Sequence, residues 1–475
     1  MTKFIKSLFL VCFIAAAFVS CCEKSKTSYL IKTETPARPA GQTHVVGLAV
    51  DPIETIRVGF IGLGMRGPGA VQRFMHIEGV EVVALCDLHL DRVEKVQQML
   101  INAEIPKAAV YYGADGWKEL VARDDLDLIY IATSWDERGD MIVTAVENGK
   151  HVAVEHPGAL TMEDIWRVVN VAEKHRKHVM LLANVVYNNF ELTTLNMIQQ
   201  GVFGETLYAD GAYIHQLEAF WNAYEGDWRM KANRTMRGDL YPIHGIGSAA
   251  LALNINRGDR LTHLVSMDTR PVSIPNWLRE NRGENVTWED VANGQNTMTL
   301  IQTEKGKAIN LHRDIASPRP YSRMYAVAGT KGYLSAFPRQ GIALEGDFVA
   351  QALGEDGRPD LNDLDAHSWL PDDARQALLA KYRHPIINDE LLETARSLGR
   401  IAHGGMDFIM DYRLIYCLRN GLPLDMNVYD FATWNSMVPL TAVSLEHGSA
   451  PVEIPDFTRG YWNLVQGVNF ALSTE

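Results

Sequence analysis

Ile56-Arg57-Val58-Gly59-Phe60-Ile61-Gly62-Leu63-Gly64-Met65-Arg66-Gly67 is a short apolar run that breaks directly into a Gly-x-Gly-x-x-Gly turn. The run is typical of a buried strand, and the helical spacing of apolar residues from Ala70 to Phe74 indicates that a helix follows the turn. A second apolar run, Val80–Asp87, ends on a carboxylate 20 residues past Gly67. Strand, glycine turn, helix and distant carboxylate together predict a βαβ unit that binds a dinucleotide.

Each residue of this fingerprint has a physical role in the predicted dinucleotide site. Gly62 permits the tight turn, Gly64 lets backbone N–H groups approach the pyrophosphate, and Gly67 lets the helix pack against the sheet. The N-terminus of that helix supplies a partial positive charge for the phosphates. Asp87 can accept hydrogen bonds from both adenosine ribose hydroxyls and repels a 2′-phosphate, which favours NAD over NADP. The alternative is a glycine-rich turn with no ligand.

Farther along the chain, strand and helix patterns alternate up to about residue 183 and then change character. The alternation predicts a doubly wound parallel sheet, whereas the later runs, separated by longer loops, predict a mostly antiparallel sheet with helices as its other layer. The predicted fold is α/β, with an N-terminal Rossmann domain over 53–183 and a C-terminal α+β domain over 184–475. The predicted strands are 126–133, 150–155, 206–214, 298–310 and 323–328, and the predicted helices are 91–102, 141–148, 161–177, 389–418 and 429–446.

The first 22 residues are predicted to be an export signal that is not part of the fold. Lys3 and Lys6 precede an apolar run over 8–19, which is shorter than the roughly 20 residues that span a bilayer. Phe18-Val19-Ser20-Cys21 resembles the lipobox of bacterial lipoproteins, so we expect Cys21 to carry a lipid anchor as the sole attachment to a membrane. Ordinary cleavage to a periplasmic product is the alternative. Residues 23–52 are predicted to form a solvated tether.

The composition argues against several classes of ligand. A net charge of −13 disfavours a nucleic-acid partner, because phosphate binding needs clustered Lys and Arg. Past residue 22 the cysteines are Cys86 and Cys417, and both lie in apolar runs, which favours buried free thiols over a disulfide. No set of His, Cys, Asp and Glu residues has metal-ligand spacing, so no metal is expected.

Short motifs along the chain resemble those of known sugar-active proteins. Gly149-Lys150-His151-Val-Ala-Val-Glu155-His156-Pro157 is similar to a stretch of the glucose–fructose oxidoreductase/inositol dehydrogenase family. More specific motifs resemble glycoside hydrolase family 109, whose members are NAD-dependent α-N-acetylgalactosaminidases built on that oxidoreductase fold. The resemblance runs from about 56 to 461. Its motifs are Asn184-Val-Val-Tyr187, Gly201-x-Phe-Gly-Glu205, Tyr241-Pro-Ile-His244-Gly-Ile-Gly247, Leu253-Asn-Ile-Asn-Arg-Gly-Asp259, Ser317-Pro-Arg-Pro-Tyr321-Ser and His403-Gly-Gly-Met-Asp407.

The resemblance implies two sets of contacts in one cleft. Beside the fingerprint glycines, the implied NAD contacts are Met65, Arg66, Asp87, Trp135, Asp136, Glu137, Arg138, Gly139, Glu155, His156 and Asn184. The implied sugar contacts are Tyr213, Arg229, Tyr241, Pro242, Ile243, His244 and Tyr321. The chain departs from the family at Trp135–Arg138, Glu155–Pro157 and Ala183-Asn184, where members carry Trp-Glu-Trp-His, Glu-Val-Pro and Glu-Asn. All three departures lie near the nicotinamide, so redox tuning or substrate choice could differ.

The resemblance also implies a mechanism by transient oxidation. NAD⁺ takes a hydride from C3 of the sugar, the ketone acidifies the C2 proton, the C1 aglycone leaves by elimination, water adds, and the hydride returns to C3. No net redox occurs and the configuration is retained. We predict that His244 and Tyr241 act at the C3/C2 side, that Tyr187 is the other proton-transfer group, and that Glu155 is its electrostatic partner.

Three functions stay open at this point. They are a glycosidase that releases terminal α-linked N-acetylgalactosamine from a glycan or glycoconjugate, a sugar or polyol dehydrogenase with net NAD turnover, and a catalytically inactive carbohydrate-binding lipoprotein. Export favours the glycosidase over the dehydrogenase, since free NAD is scarce outside the cytoplasm. The oligomeric state is open, although the resemblance implies a fold that often forms dimers or tetramers through its sheet face.

Several candidate residues also have a purely structural interpretation. His244 and Tyr321 could be ordinary loop residues, and Tyr187 and Tyr213 could be core tyrosines with a polar tip. An aromatic cluster fits either a sugar platform or simple packing; it comprises Phe220, Trp221, Tyr224 and Trp228.

Overall fold

Two sheets organise the chain in the computed structural model, which describes residues 29–345, Val349 and 367–473. The predicted export signal, including Cys21, lies outside the described residues. One sheet has six parallel strands and the other has eight strands that are mostly antiparallel. The predicted α/β class, with a Rossmann domain and a C-terminal α+β domain, is confirmed.

The six-stranded sheet has the doubly wound order β3-β2-β1-β4-β5-β6 and is parallel throughout. Its four-residue strands β4 and β5 are completely buried, because crossover helices cover the faces of a parallel sheet. The strands are β1 Ile56–Ile61, β2 Val80–Asp87, β3 Ala109–Tyr112, β4 Leu128–Ile131, β5 His151–Val154 and β6 Val179–Leu181. The helices are α1 Gly67–Phe74, α2 Leu90–Asn102, α3 Gly116–Val121, α4 Arg138–Glu147 and α5 Met162–His175.

Sequence patterns located most of these elements but missed β3, α3 and the three-residue strand β6. Strand β3 lies at the edge of the sheet and alternates between half-buried and exposed residues over only four positions, which is too short for a clear period. The predicted cap of α5 is present, because the Thr161 hydroxyl oxygen accepts a hydrogen bond from the Asp164 backbone N–H at 3.1 Å.

The eight-stranded sheet has the order β13-β12-β11-β7-β10-β9-β8-β14, and its one parallel pair is β7 with β10. Strand β9 alternates strictly between buried and exposed residues, so one face packs on helices and the other is open. The strands are β7 Thr206–Ile214, β8 Leu261–Asp268, β9 Asn296–Thr303, β10 Ala308–Asp314, β11 Ala326–Gly329, β12 Gly332–Ser335, β13 Gly341–Leu344 and β14 Val452–Glu453. The single run predicted over 298–310 is therefore a hairpin of β9 and β10, turning near Gly306, whose φ is 81°.

The helices of the second domain correct two predictions. The helix expected over 389–418 is broken between Gly399 and Gly405, where His403, Gly404 and Gly405 all have positive φ. The helix expected over 429–446 is two helices that meet at Ser436. The helices are α6 Asn189–Gln199, α7 Trp228–Thr235, α8 Ile243–Ala252, α9 Ser273–Arg282, α10 Asp372–Lys381, α11 Asp389–Ser397, α12 Met406–Arg419, α13 Val428–Asn435 and α14 Met437–Glu446.

The tether predicted for residues 23–52 is wrong over its described part, because that segment packs against the folded chain. Ile31 forms a bridge with Val452, and Arg38 Nε donates to Glu173 Oε2 at 3.0 Å. The Val45 backbone N–H donates to the Tyr429 hydroxyl at 2.9 Å, and the Val45 side chain is buried. The mostly polar composition of this segment masked its few apolar residues in the sequence pattern. Burial of these residues stabilises the segment against the folded chain.

Two further predictions concern cysteines and membranes. Cys86 and Cys417 are both buried and free, as expected. Within the described ranges, we find no helix with the length and apolar character needed to cross a bilayer.

Candidate active site

The glycine turn after β1 has the shape of a dinucleotide cradle. Gly62 has a φ of 92°, and a Cβ there would lie 2.6 Å from the backbone of Ala132 and Thr133. A Cβ on Gly67 would lie 2.0 Å from the Gly62 carbonyl oxygen, so neither position tolerates a side chain. A Cβ on Gly64 would have only Arg92 Nη1 nearby, at 3.7 Å. The space above Gly64 and the N-terminus of α1 therefore fit a pyrophosphate.

Asp87 lies at the end of β2, beside this cradle, and is buried. Its Oδ2 accepts a hydrogen bond from the Leu63 backbone N–H at 2.6 Å, and its Oδ1 accepts one from the His89 backbone N–H at 3.0 Å. These bonds hold the carboxylate against the glycine turn. Because each carboxylate oxygen has a second lone pair, Asp87 retains acceptors for ribose hydroxyls.

The cleft lies where the strand order reverses, between β1 and β4, at the carboxyl ends of the parallel strands. The segments after β4 and β5 are tied together there by Arg138. Its Nη1 donates to the carbonyl oxygens of Glu155 at 2.5 Å and Pro157 at 2.9 Å, and its Nη2 donates to that of Thr133. Burial lowers the pKa of Arg138 to about 10. The Arg138 guanidinium thus shapes the cleft wall.

The other predicted residues of this segment differ in exposure. Trp135 is buried, whereas Asp136 and Glu137 are exposed and Gly139 lies under the side chain of Asp164. On the opposite side of the turn, Met65 is more than half exposed. The buried Trp135 ring packs against Trp228, with the ring centroids 4.9 Å apart.

A network of charged side chains joins the two domains at the cleft. Arg66 Nε donates to Glu155 Oε1 at 3.0 Å, and Arg66 Nη2 lies 3.1 Å from Asp407 Oδ2. Asp407 also accepts a hydrogen bond from Asn184 Nδ2 at 2.6 Å and lies 2.7 Å from His403 Nδ1. The predicted residues Arg66, Glu155 and Asn184 are thus brought together around Asp407.

Asp407 is the centre of this network and is completely buried. Burial by itself would raise its pKa, but the charges of Arg66 and Arg73 and the hydrogen bond with His403 lower the pKa below its usual value. Asp407 is therefore a permanent carboxylate that holds Arg66 toward Glu155.

Neither Asp407 nor His403 was predicted as a site residue, although both belong to the motif His403-Gly-Gly-Met-Asp407. The pair of glycines inside an otherwise helical run was the signal that could have identified them. The break at Gly404-Gly405 directs His403 toward Arg66, at 3.1 Å between Nδ1 and Nη1.

Three predicted sugar-binding residues form an aromatic cluster on the C-terminal side of the cleft. The Tyr213 and Tyr241 ring centroids are 4.5 Å apart, and each lies 5.1 Å from that of His244. His156, from the Rossmann side, lies edge-on to Tyr241 with a centroid distance of 5.0 Å. The predicted cofactor-binding and sugar-binding sets therefore meet at Tyr241.

The position of His244 follows from tight packing of α8 on β7. A Cβ on Gly211 would lie 2.3 Å from the Gly245 carbonyl oxygen, so the helix and the strand approach with no side chain between them. Pro242 and Ile243 are buried at the start of the helix and hold the preceding turn. His244 Nδ1 has no hydrogen-bond partner within the described chain, and burial, together with the charges of Arg323 and Arg66, lowers its pKa well below the usual value. His244 is therefore a neutral imidazole that can accept a proton.

Tyr213 and Tyr241 are hydrogen-bond donors, in contrast to His244, whose neutral imidazole can accept a proton. Burial and the neighbouring phenol raise the pKa of Tyr241, and burial raises that of Tyr213. Both phenols stay protonated, so they can donate hydrogen bonds to a sugar.

The Arg229 guanidinium packs over the rings of this cluster. Its guanidinium carbon lies 5.0 Å from the Tyr241 ring centroid and 5.6 Å from that of Trp135, and its Nη1 donates to the Tyr224 hydroxyl at 2.8 Å. The sequence did not decide whether the aromatic residues between 220 and 228 bind a sugar or only pack. Trp221 is buried against Trp277 and packs, whereas Tyr224 contacts the cleft through Arg229.

The cleft mouth contains His215, which was not among the predicted site residues. His215 Nδ1 lies 3.2 Å from the Tyr213 hydroxyl, and its ring lies 5.3 Å from that of the predicted residue Tyr321. Tyr321 and Phe220 are both about 40% exposed, so this rim is open to a larger ligand. His215 follows a strand with no motif of its own, which is why nothing in the sequence marked it.

The structure contradicts the role predicted for Tyr187. Its hydroxyl is completely buried and donates to Asp425 Oδ2 at 3.1 Å, and Arg413 Nη2 donates to the other oxygen of Asp425 at 2.7 Å. Glu155, its expected partner, instead pairs with Arg66. Tyr187 is a core tyrosine that supports a buried ion pair, because the turn after Asn184 directs it away from the cleft.

No group of three or more His, Cys, Asp and Glu residues suited to a metal ion occurs among the described residues.

Comparisons with known proteins agree with this division of the chain. A family model of oxidoreductases with an NAD-binding Rossmann fold matches residues 56–182, and a model of the glycosyl hydrolase 109 C-terminal domain matches residues 187–464. The chain is 52% identical to glycosyl hydrolase family 109 protein 1 of Bacteroides thetaiotaomicron, over 98% of this chain and 100% of that protein. It is 51% identical to a glycosyl hydrolase family 109 protein of Porphyromonas gingivalis, over 93% of each chain.

Solved structures share the fold at low sequence identity. A levoglucosan dehydrogenase in complex with NADH and L-sorbose is 15% identical, with a TM-score of 0.63 over 85% of this chain and 100% of that one. A myo-inositol 2-dehydrogenase from Lactobacillus plantarum is 16% identical, with a TM-score of 0.55 over 84% of this chain and 99% of that one.

Proposed function

The chain belongs to glycosyl hydrolase family 109, and from this premise we propose that it releases terminal α-linked N-acetylgalactosamine from glycans or glycoconjugates. It is a glycoside hydrolase with an NAD-binding Rossmann domain. One observation carries the proposal: the neutral His244 and the phenols of Tyr213 and Tyr241 lie in one cluster that touches the cofactor side of the cleft through His156. A hexose bound in this cluster would face the cofactor side of the cleft.

Bound NAD would supply reversible hydride exchange with C3 of the sugar, so that a ketone at C3 acidifies the C2 proton and allows the C1 aglycone to leave. The chain's own groups then manage protons and orientation. His244 accepts a proton on the C3/C2 side, because its Nδ1 has no hydrogen-bond partner among the described residues and is available to a sugar hydroxyl. Tyr241 donates a hydrogen bond to a sugar oxygen, because the raised pKa of its phenol keeps the proton in place.

Arg66 and Glu155 have a positioning role in this proposal. Their ion pair is partly exposed on the arginine side and nearly buried on the glutamate side, with Asp407 behind it. The pair places one carboxylate near the cofactor cleft without leaving a buried charge unpaired. The Arg229 guanidinium packs over the Tyr241 ring and would shield a bound sugar from water.

A sugar or polyol dehydrogenase is the competing function, favoured by the fold shared with the levoglucosan and inositol dehydrogenases. The purified protein is incubated with a panel of α- and β-nitrophenyl glycosides while absorbance at the NADH wavelength is followed, and nucleotide is released afterwards by denaturation. We expect release of nitrophenol from α-N-acetylgalactosaminide, bound NAD, and no NADH accumulation. NADH accumulating with sugar oxidation and no glycoside cleavage would contradict the proposal.

We further propose export and lipid attachment at Cys21, supported by the charged and apolar pattern of residues 3–19. Cys21→Ser should abolish incorporation of labelled palmitate while wild type incorporates it. Labelling of the variant would contradict the anchor.

A homo-oligomer is proposed from the open face of the eight-stranded sheet. Met267 and Leu300 lie on neighbouring strands and are 60% and 64% exposed, which is unusual for large apolar side chains. Light scattering of the purified protein should give a molar mass well above that of one chain, which is 53.1 kDa for the full sequence. A mass equal to one chain would contradict the oligomer.

A further inference from the structure

A segment of the C-terminal domain reaches across to the adenosine end of the dinucleotide cleft. Glu225 Oε1 lies 2.6 Å from His89 Nε2, and Glu225 Oε2 forms an ion pair with Arg92 Nη2. His89 precedes α2 and Arg92 lies in its first turn, both directly after Asp87. Glu225 is therefore a C-terminal-domain residue that contacts the loop expected to hold the adenosine ribose.

The segment that carries Glu225 is held at its base. Arg282 Nη1 donates to Asp227 Oδ2 at 2.6 Å, and Arg282 Nη2 donates to Asn222 Oδ1 at 3.0 Å. Gly226 and Asp227 both have positive φ, so the chain makes a tight turn directly after Glu225. The turn and its anchor direct the Glu225 carboxylate toward the Rossmann domain.

Arg92 lies at the ribose end of the cradle. Its Nη1 lies 3.5 Å from Asp87 Oδ1 and 3.7 Å from the position that a Cβ on Gly64 would take. A guanidinium in this place is the group that would pair with a 2′-phosphate on the ribose. In this chain that guanidinium is shared between two carboxylates, Asp87 and Glu225.

We propose that Glu225 is a cofactor-selectivity residue, which excludes NADP by occupying Arg92 and His89. The charges of Asp87, Glu225 and Arg92 sum to −1, so a doubly charged 2′-phosphate is repelled. Removing the Glu225 charge brings that sum to zero and frees the Arg92 fork for bidentate phosphate binding. Asp87 alone then opposes the 2′-phosphate. The inference concerns the dinucleotide end and is independent of which sugar the enzyme cleaves.

The test compares the nucleotide held by wild type and Glu225→Gln. Each protein is equilibrated with equimolar NAD⁺ and NADP⁺, desalted and denatured, and the released nucleotides are separated by chromatography. Wild type should release NAD⁺ almost alone, and Glu225→Gln should raise the ratio of NADP⁺ to NAD⁺ about tenfold or more. An unchanged ratio in Glu225→Gln, or no dinucleotide from wild type, would overturn the proposal.

Matched variants separate charge from loop damage. Glu218→Gln, which removes a carboxylate from the same segment away from Arg92, should keep the wild-type ratio. Glu225→Gln combined with Arg92→Gln should lose the gain in NADP⁺. Should Glu225→Gln fail to fold, Glu225→Asp, which retracts the carboxylate by one methylene, is expected to give a smaller rise. The same rise in Glu218→Gln, a gain that survives Arg92→Gln, or no rise in Glu225→Asp would each overturn the role of Glu225.

Discussion

His244 shows how burial sets the chemistry of a single side chain in this cleft. A histidine in water has a pKa near 6.5 and is partly charged at neutral pH. Burial and two nearby guanidinium groups keep the His244 imidazole neutral, with Nδ1 free of protein partners within the described residues. Burial also raises the pKa of the neighbouring Tyr241 and Tyr213 phenols, which stay protonated, so a proton acceptor and two proton donors lie side by side.

We expect His244→Ala to lower kcat/KM for an α-N-acetylgalactosaminide by about 100-fold or more, because a general base is lost. The bound NAD content, measured after denaturation, should stay at the wild-type level. His447→Ala, at an exposed helix end, is the control and should keep full activity. Unchanged turnover in His244→Ala would contradict the assignment.

Asp407 is the residue on which the charged network depends. Replacing it by Asn leaves the half-buried Arg66 and the buried Arg73 with less negative charge, which costs about 3 kcal/mol in the free energy of unfolding. Urea unfolding of Asp407→Asn measures the loss, with Asp389→Asn at an exposed position as control. Equal stability of the two variants would show that Arg66 is held by other contacts.

At the scale of elements, α8 and β7 determine where the cluster of Tyr213, Tyr241 and His244 lies. Gly211 on β7 and Gly245 on α8 allow the two backbones to touch. That contact fixes the position of His244 on the helix and of Tyr241 in the turn before it. The broken run between α11 and α12 has a comparable role, because it directs His403 and Asp407 to the other side of the cleft.

Gly245→Ala tests the contact between α8 and β7. The new methyl group would lie 2.3 Å from Leu311 Cδ1 and 2.6 Å from the Ala212 backbone nitrogen, so the helix must move outward. We expect a loss of about 2 kcal/mol in the free energy of unfolding and a clear fall in kcat. Gly247→Ala lies in the same helix, and its methyl group would be 3.5 Å from Val186 Cγ2, an ordinary contact. That variant should be at least as stable as wild type, since alanine favours a helix; similar losses in both variants would contradict the argument.

At the scale of the whole molecule, buried histidines couple stability to acid. His178 is buried, its Nε2 has no partner within the described chain, and burial lowers its pKa to about 4. The unfolded chain takes up a proton near pH 6.5, whereas the folded chain does so only near pH 4. The contribution of His178 to the free energy of unfolding is therefore fully present above pH 6.5. Up to about 3 kcal/mol of it is lost as the pH drops to 4.

His178→Gln should reduce this dependence on acid. The variant has no group to protonate at this position, so the difference between its unfolding free energies at pH 7.5 and pH 5 should be smaller than in wild type. Urea unfolding at both values measures the difference. His76→Gln, at an exposed position, should keep the wild-type difference, and identical pH dependence in all three proteins would contradict the role of His178.

Local spacing was enough to identify the dinucleotide unit, because a strand, a glycine turn and a helix are each specified by residues a few positions apart. The alternation of buried strands and helices likewise predicted the Rossmann domain. The motif around Tyr241 and His244 predicted that these two side chains lie together, because it spans one turn and the start of one helix.

Contacts between distant parts of the chain were beyond such spacing. Arg66, Glu155, Asn184 and Asp407 meet across more than 340 positions of sequence, and their pairing depends on how two sheets pack. The same packing turned Tyr187 into the core, bound residues 31–48 to the folded domains, and brought Glu225 to Arg92. The local sequence gives the type of each side chain. The packing of the two sheets decides which distant residue becomes its partner.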